Sequence, residues 1–133
     1  MVSMQIMKFT PTAFALAALA LTRQAFAEIA FGTATFTSGS ADGSEFNVAW
    51  IYGQDACSWT WISNTGSNPC GTDFTLTNGY TYYLGGCGTS SFAVYNADSH
   101  TVNAYATFAD GYSTDGCVNQ DGHFTVQQQW TFG

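Results

Sequence analysis

From Ile29 onward, short runs of β-branched and aromatic residues alternate with clusters of Gly, Asn, Asp and Ser. The runs fall at 29–36, 46–52, 58–62, 74–77, 80–84, 92–95, 101–108 and 124–132. Their length and residue types are those of strands, and the polar clusters between them are turn formers. Asn78-Gly79, between two such runs, is the strongest hairpin signal in the chain. The cluster 96–99 joins two further runs, and Asp42-Gly43 lies in the turn after the first. About eight strands at this spacing predict an all-β fold, a single antiparallel β-sandwich or small β-barrel. The Gly- and Asp-rich stretch 110–122 is expected to be a loop.

Residues 1–27 do not fit that pattern. Lys8, an apolar stretch over 13–21 and Ala25-Phe26-Ala27 have the layout of a signal peptide with its small-x-small cleavage site. The apolar stretch is far shorter than the roughly 20 residues that span a bilayer. The expectation is a secreted, extracellular domain over 28–133. Lys8 and Arg23 are the only basic residues, so the domain carries nine Asp and Glu against no Lys or Arg. That excludes phosphate-backbone recognition and attraction to anionic membranes, both of which need cationic side chains. Past residue 27 there are only ten aliphatic side chains larger than Ala, against nineteen aromatics. A core here must be built largely from Phe, Tyr and Trp, which again favours strands.

Export gives the cysteines a meaning. Cys57, Cys70, Cys87 and Cys117 form an even set in an oxidising compartment, so two disulfides are expected. Three pairings exist. The short, turn-rich segment before Cys70 favours Cys57–Cys70 with Cys87–Cys117. Zinc is disfavoured because its cysteines usually come in pairs two to four residues apart, and no cofactor is expected.

Each chemical motif has a plainer reading. A glycosidase needs two carboxylates flanking the scissile bond, but Asp42, Glu45, Asp55, Asp98, Asp110, Asp115 and Asp121 sit beside Gly, Ser or Asn in expected turns. His100 and His123 are isolated, with no Gly-x-Ser-x-Gly elbow and no His-Glu-x-x-His. Asp115, Asn119 and Asp121 could supply oxygen to calcium, although the EF-hand register fails. The most suggestive feature is aromatic. Trp59 and Trp61 alternate and so share one face of a strand. Trp50 with Tyr52, and Tyr80 with Tyr82, repeat the pattern. Trp59, Trp61 and Tyr82 are therefore candidate ligand-binding residues, with amides from Asn47, Asn103 and Gln127 to Gln129 available to a polar ligand. The competing reading places these rings in the core.

No Asn-x-Ser/Thr acceptor follows residue 27, and the missing Lys and Arg remove every trypsin-type cleavage site. A small, disulfide-bearing β protein without a catalytic motif resembles the secreted effectors and elicitors of filamentous fungi. Cys57-Ser58 followed by Cys70-Gly71-Thr72-Asp73-Phe74 resembles the Cys-Ser … Cys-Gly-x-x-x-Phe element of the β-barrel allergen and elicitor family first known from Alternaria. Tyr83-Leu84-Gly85-Gly86-Cys87-Gly88 through Phe92 resembles the same element equally well. The likeness covers residues 57–92 and departs where that family closes a short second disulfide loop near its C-terminus. It implies a non-catalytic extracellular barrel linked to host recognition, with dimerisation open.

The expected function is that of a secreted, non-enzymatic effector or elicitor that binds a host extracellular protein or a cell-wall polysaccharide. A carbohydrate-binding module or small lectin is the first alternative, and a small secreted hydrolase with a carboxylate pair the second. A protease inhibitor presenting the 63–69 loop is a weaker fourth reading.

Overall fold

Runs rich in aromatic and β-branched residues cover their ring and methyl surfaces best on a pleated sheet. The computed structural model describes residues 28–109 and 113–133 and places nine strands there: β1 (Ile29–Phe36), β2 (Glu45–Ile51), β3 (Thr60–Asn64), β4 (Phe74–Thr75), β5 (Thr81–Gly85), β6 (Ala93–Asn96), β7 (Thr101–Phe108), β8 (Ser113–Asn119) and β9 (Gly122–Phe132). The segment 1–27, with its expected signal peptide, and Asp110 lie outside the described residues. A single 3-10 turn, Ala56–Ser58, precedes β3, and the Asp55 carboxylate caps it by accepting from the Cys57 N–H at 3.0 Å.

All strand neighbours are antiparallel, in the order β3-β2-β1-β9-β7-β6-β5-β4. The two end strands approach each other, and the Thr60 hydroxyl donates to the Thr75 carbonyl at 3.0 Å. The result is a nearly closed eight-stranded barrel. β9 is long enough to take two successive partners on one edge: β7 along its last three residues and β8 along its first half.

Two apolar layers sandwich the barrel wall. Along β1, Ile29 and Phe31 belong to the interior core with Ala49, Ile62, Tyr82, Leu84, Val94 and Phe132. The alternate residues Ala30, Ala34 and Phe36 face outward, into a second core with Val48, Trp50, Phe124 and Val126. Ala56, Cys57, Trp59 and Cys117 cover that outer layer. A period of two thus serves two cores at once. At Gly32 a bulge shifts the register against β9, and the β9 backbone comes so close that any Cβ would collide with the Gln127 carbonyl.

The structure corrects the cysteine pairing. The bonds are Cys57–Cys117 and Cys70–Cys87, and no described cysteine is free. The segment between Cys57 and Cys70 is not a closed loop, because it contains β3, whose extended rise of about 3.3 Å per residue carries the chain away. The 3-10 turn packs beside β8, which sets Cys57 against Cys117. Cys70 forms a bridge with Leu84, close to Cys87. Most of the expected loop 110–122 is also corrected, to β8 and its hairpin turn. Its Asp- and Gly-rich sequence carries no strand signal; pairing with the long β9 and the disulfide at Cys117 impose the conformation.

Candidate functional site: the barrel mouth

At one end the barrel interior opens into a cavity of about 560 Å³, within the range of roughly 300–1,000 Å³ typical of ligand sites. Its apolar wall comes from four places in the chain. Phe31 lies on β1, Phe92 just before β6, Ala106 on β7 and Trp130 on β9. Register explains the meeting: Phe31 pairs with Trp130 across β1 and β9, and Trp130 pairs with Phe108 across β9 and β7.

These rings form a continuous edge-to-face series. Phe31 meets Phe92 at 6.1 Å between centroids, Phe92 meets Trp130 at 5.6 Å, and Trp130 meets Phe108 at 5.3 Å. Exposure rises along the series, from 5% at Phe31 to 61% at Phe108. The series therefore runs from the barrel core to the surface. Edge-to-face packing holds each ring at a fixed tilt and leaves flat apolar surface toward the cavity.

The rim is polar. Thr65, Ser67 and Pro69 border it on one side, and Cys87, Gly88, Thr89 and Ser90 on the other. The Cys70–Cys87 bond ties the two sides together. The Thr89 hydroxyl donates to the Gly86 carbonyl at 2.7 Å and accepts from the Ser91 N–H at 3.1 Å, which fixes that loop. Asn47, on β2, is 8% exposed and points its amide along the wall; its Nδ2 donates to the Ser63 hydroxyl at 3.0 Å and to the Asn64 carbonyl at 3.3 Å.

Among the described residues, the lining includes no acidic, basic or imidazole side chain. None of these lining residues can take or give a proton near neutral pH, and none would pair with a charged ligand. What the arrangement can do is bind: rings for an apolar face, hydroxyls and an amide for polar groups, and a preformed shape. A smaller cleft of about 320 Å³, lined by Trp50, Tyr52, Gly53, Gln54 and Gln128, lies on the outer side of the wall. It unites Trp50 and Tyr52, which the sequence singled out on one run, with the amide of Gln128 from another.

The sequence candidates are scattered. Tyr82 is corrected from ligand-binding to core: it is fully buried, lies tilted against Phe74 at 6.1 Å between centroids, and accepts from Asn78 Nδ2 at 3.0 Å. Burial pushes its hydroxyl pKa up, against the opposing pull of the Asn78 bond. Trp59 precedes β3 and packs against Phe36, Phe46 and Phe124 in the outer core, with a buried indole N–H that has no hydrogen-bond partner. Trp61 is half exposed on β3, paired with Val48, and makes no ring contact among the described residues. These three do not converge on one site.

The polar candidates take turn roles. Asn119 Oδ1 accepts from the Asp121 N–H at 2.9 Å and shapes the β8–β9 hairpin, while Asp115 sits at the β8 irregularity. Among the described residues no group of three or more His, Cys, Asp or Glu could hold a metal ion. His100 occupies a turn with φ of 56°, its Nδ1 3.3 Å from the Tyr83 hydroxyl, and His123 lies on β9.

Phe31, Phe92, Phe108 and Trp130 were not legible as a group, because four separate runs contribute one ring each. Compared with known proteins, the chain matches no family model, no curated protein and no solved structure. Fold and site together define a class only: a disulfide-stapled antiparallel barrel with an uncharged, aromatic-walled mouth.

Proposed function

We propose that this chain is an exported, non-catalytic binding protein of the effector or elicitor kind. It works outside the cell and takes an uncharged cell-wall component, a neutral polysaccharide, into the barrel mouth. The observation that carries the reading is the composition of the mouth: three aromatic rings and a ring of hydroxyls, with no titratable side chain among the described residues. Sugars present apolar C–H faces beside hydroxyl edges, so rings flanked by short polar side chains are their natural complement. Two disulfides in a small domain suit an oxidising exterior. The resemblance to fungal elicitor barrels, on the Cys-Gly elements around Cys70 and Cys87, points the same way.

The test is depletion of the oxidised domain by insoluble chitin, cellulose and xylan, with Trp130→Ala alongside the wild type. Saturable retention of the wild type and loss in Trp130→Ala is the expected result. Retention that ignores Trp130 would move the site elsewhere, and no retention on any polymer would remove the polysaccharide ligand. A protein partner is the second reading. Tyr105, 62% exposed on β7, favours it as a side chain with no evident role in packing.

A further inference from the structure

Asn47 is the one amide among the described residues of the mouth, and its surroundings fix which way it points. The Nδ2 group has two hydrogens, and β3 uses both, one on the Ser63 hydroxyl and one on the Asn64 carbonyl. Turning the amide over would set Oδ1 against the Asn64 carbonyl, two acceptors face to face. The orientation is therefore locked by chemistry. Oδ1 is what Asn47 has left for a ligand, and it accepts from no described group. The side chain is more than nine-tenths buried yet lines the cavity.

An acceptor that faces the cavity and binds no described group asks for a donor from whatever covers it. The same cavity is lined by Phe31, Phe92, Trp130 and Ala106, which ask for an apolar group, and by the hydroxyls of Thr65, Ser67 and Ser90, which can donate. Those three demands occur together in an acetamido group: an N–H donor, a methyl and a carbonyl acceptor. We infer that the mouth selects neutral sugars bearing N-acetyl groups, with Asn47 as the specificity-determining residue. The inference rests on the mouth being the polysaccharide site. A plain hydroxyl at the same sugar position can also donate to Oδ1, but it leaves the rings uncovered. A free amine, when protonated, finds no counter-charge among the described residues that line the cavity.

The experiment titrates the oxidised wild-type domain with three oligosaccharides of equal length: β-1,4-linked N-acetylglucosamine, β-1,4-linked glucose and fully deacetylated glucosamine. Salt of about 0.5 M screens the attraction of an acidic protein for the amine. The acetylated oligomer is expected to bind about tenfold tighter than the glucose oligomer, with the amine weakest. Glucose binding equal to or tighter than the acetylated sugar overturns the inference and leaves the mouth as a polysaccharide site. Binding of none of them overturns the inference, and the polysaccharide site falls with it if xylan oligosaccharides also fail to bind.

Asn47→Ala isolates the part played by Asn47. It removes the Oδ1 acceptor and leaves the rings and the rim hydroxyls, so the preference should shrink to about threefold. An unchanged preference in a folded Asn47→Ala protein removes Asn47 from the explanation. The wild-type comparison needs no variant to fold.

Discussion

Phe108 stands edge-on to Trp130, with ring centroids 5.3 Å apart and planes at 77°. This pairing carries the aromatic wall of the barrel interior out to solvent, since Phe108 is 61% exposed while the rings behind it are half-buried or buried. An exposed ring at that place supports little of the fold. Phe108→Ala should change unfolding free energy by no more than about 0.5 kcal/mol, yet weaken oligosaccharide binding several-fold. A denaturant titration and a binding titration on the same preparation separate the two effects; equal binding would confine the site to the inner rings.

Trp59 and Trp61 should behave oppositely, although two residues apart. Trp59 packs against three rings of the outer core, so Trp59→Ala should destabilise by about 3 kcal/mol. Trp61→Ala should cost about 1 kcal/mol or less, because half its surface is already in water. Neither lines the mouth, so neither change should alter ligand affinity in folded protein. Comparable losses of stability would mean that the outer core does not depend on Trp59.

The disulfides make distinct contributions. Cys57–Cys117 spans a sequence separation of 60 and Cys70–Cys87 one of 17. On the loop-entropy model the longer closure stabilises by about 4 kcal/mol and the shorter by about 3. Cys57→Ser with Cys117→Ser should therefore lower stability more, while Cys70→Ser with Cys87→Ser should loosen the rim and weaken binding. Non-reducing peptide maps after pepsin digestion report the pairing directly, and a Cys57–Cys70 peptide would contradict it.

Alkaline pH should destabilise the fold through Tyr82. Desolvation raises its hydroxyl pKa above the ordinary value of 10.0. The folded state then holds the proton more tightly than the unfolded one. The stabilisation is complete below pH 10 and is lost as pH rises from there through the folded-state pKa. Urea midpoints measured from pH 8 to about 11 should fall in the wild type above pH 10 and fall less in Tyr82→Phe. Identical slopes would remove Tyr82 from the alkaline transition.

Most strands were legible because pattern and punctuation agree. The runs at 29–36 and 101–108 coincide with β1 and β7, and Asn78-Gly79 makes its turn, with Gly79 at φ of 84° and the Asn78 side chain accepting from the Tyr80 N–H. What failed depends on long-range pairing. β8 is written in turn residues and is a strand only because β9 and Cys117 hold it. The cysteine partners follow from which strands lie side by side, not from loop length. The face of a tryptophan was unreadable for a related reason: the β1–β2–β9 wall is buried on both sides, so alternation does not mark an outside. The mouth shares the difficulty, since Phe31, Phe92 and Trp130 come together only through the barrel's closure.

The most direct measurement uses the four tryptophans as built-in reporters. In a ¹⁵N-labelled sample each indole N–H gives its own resonance, and Trp130 is the only one of the four that lines the barrel mouth. Titration with neutral cell-wall oligosaccharides should move the Trp130 signal saturably and leave Trp59 and Trp61 in place. Movement centred on Trp61, or no movement of Trp130 at saturating ligand, would contradict a binding site in the barrel mouth.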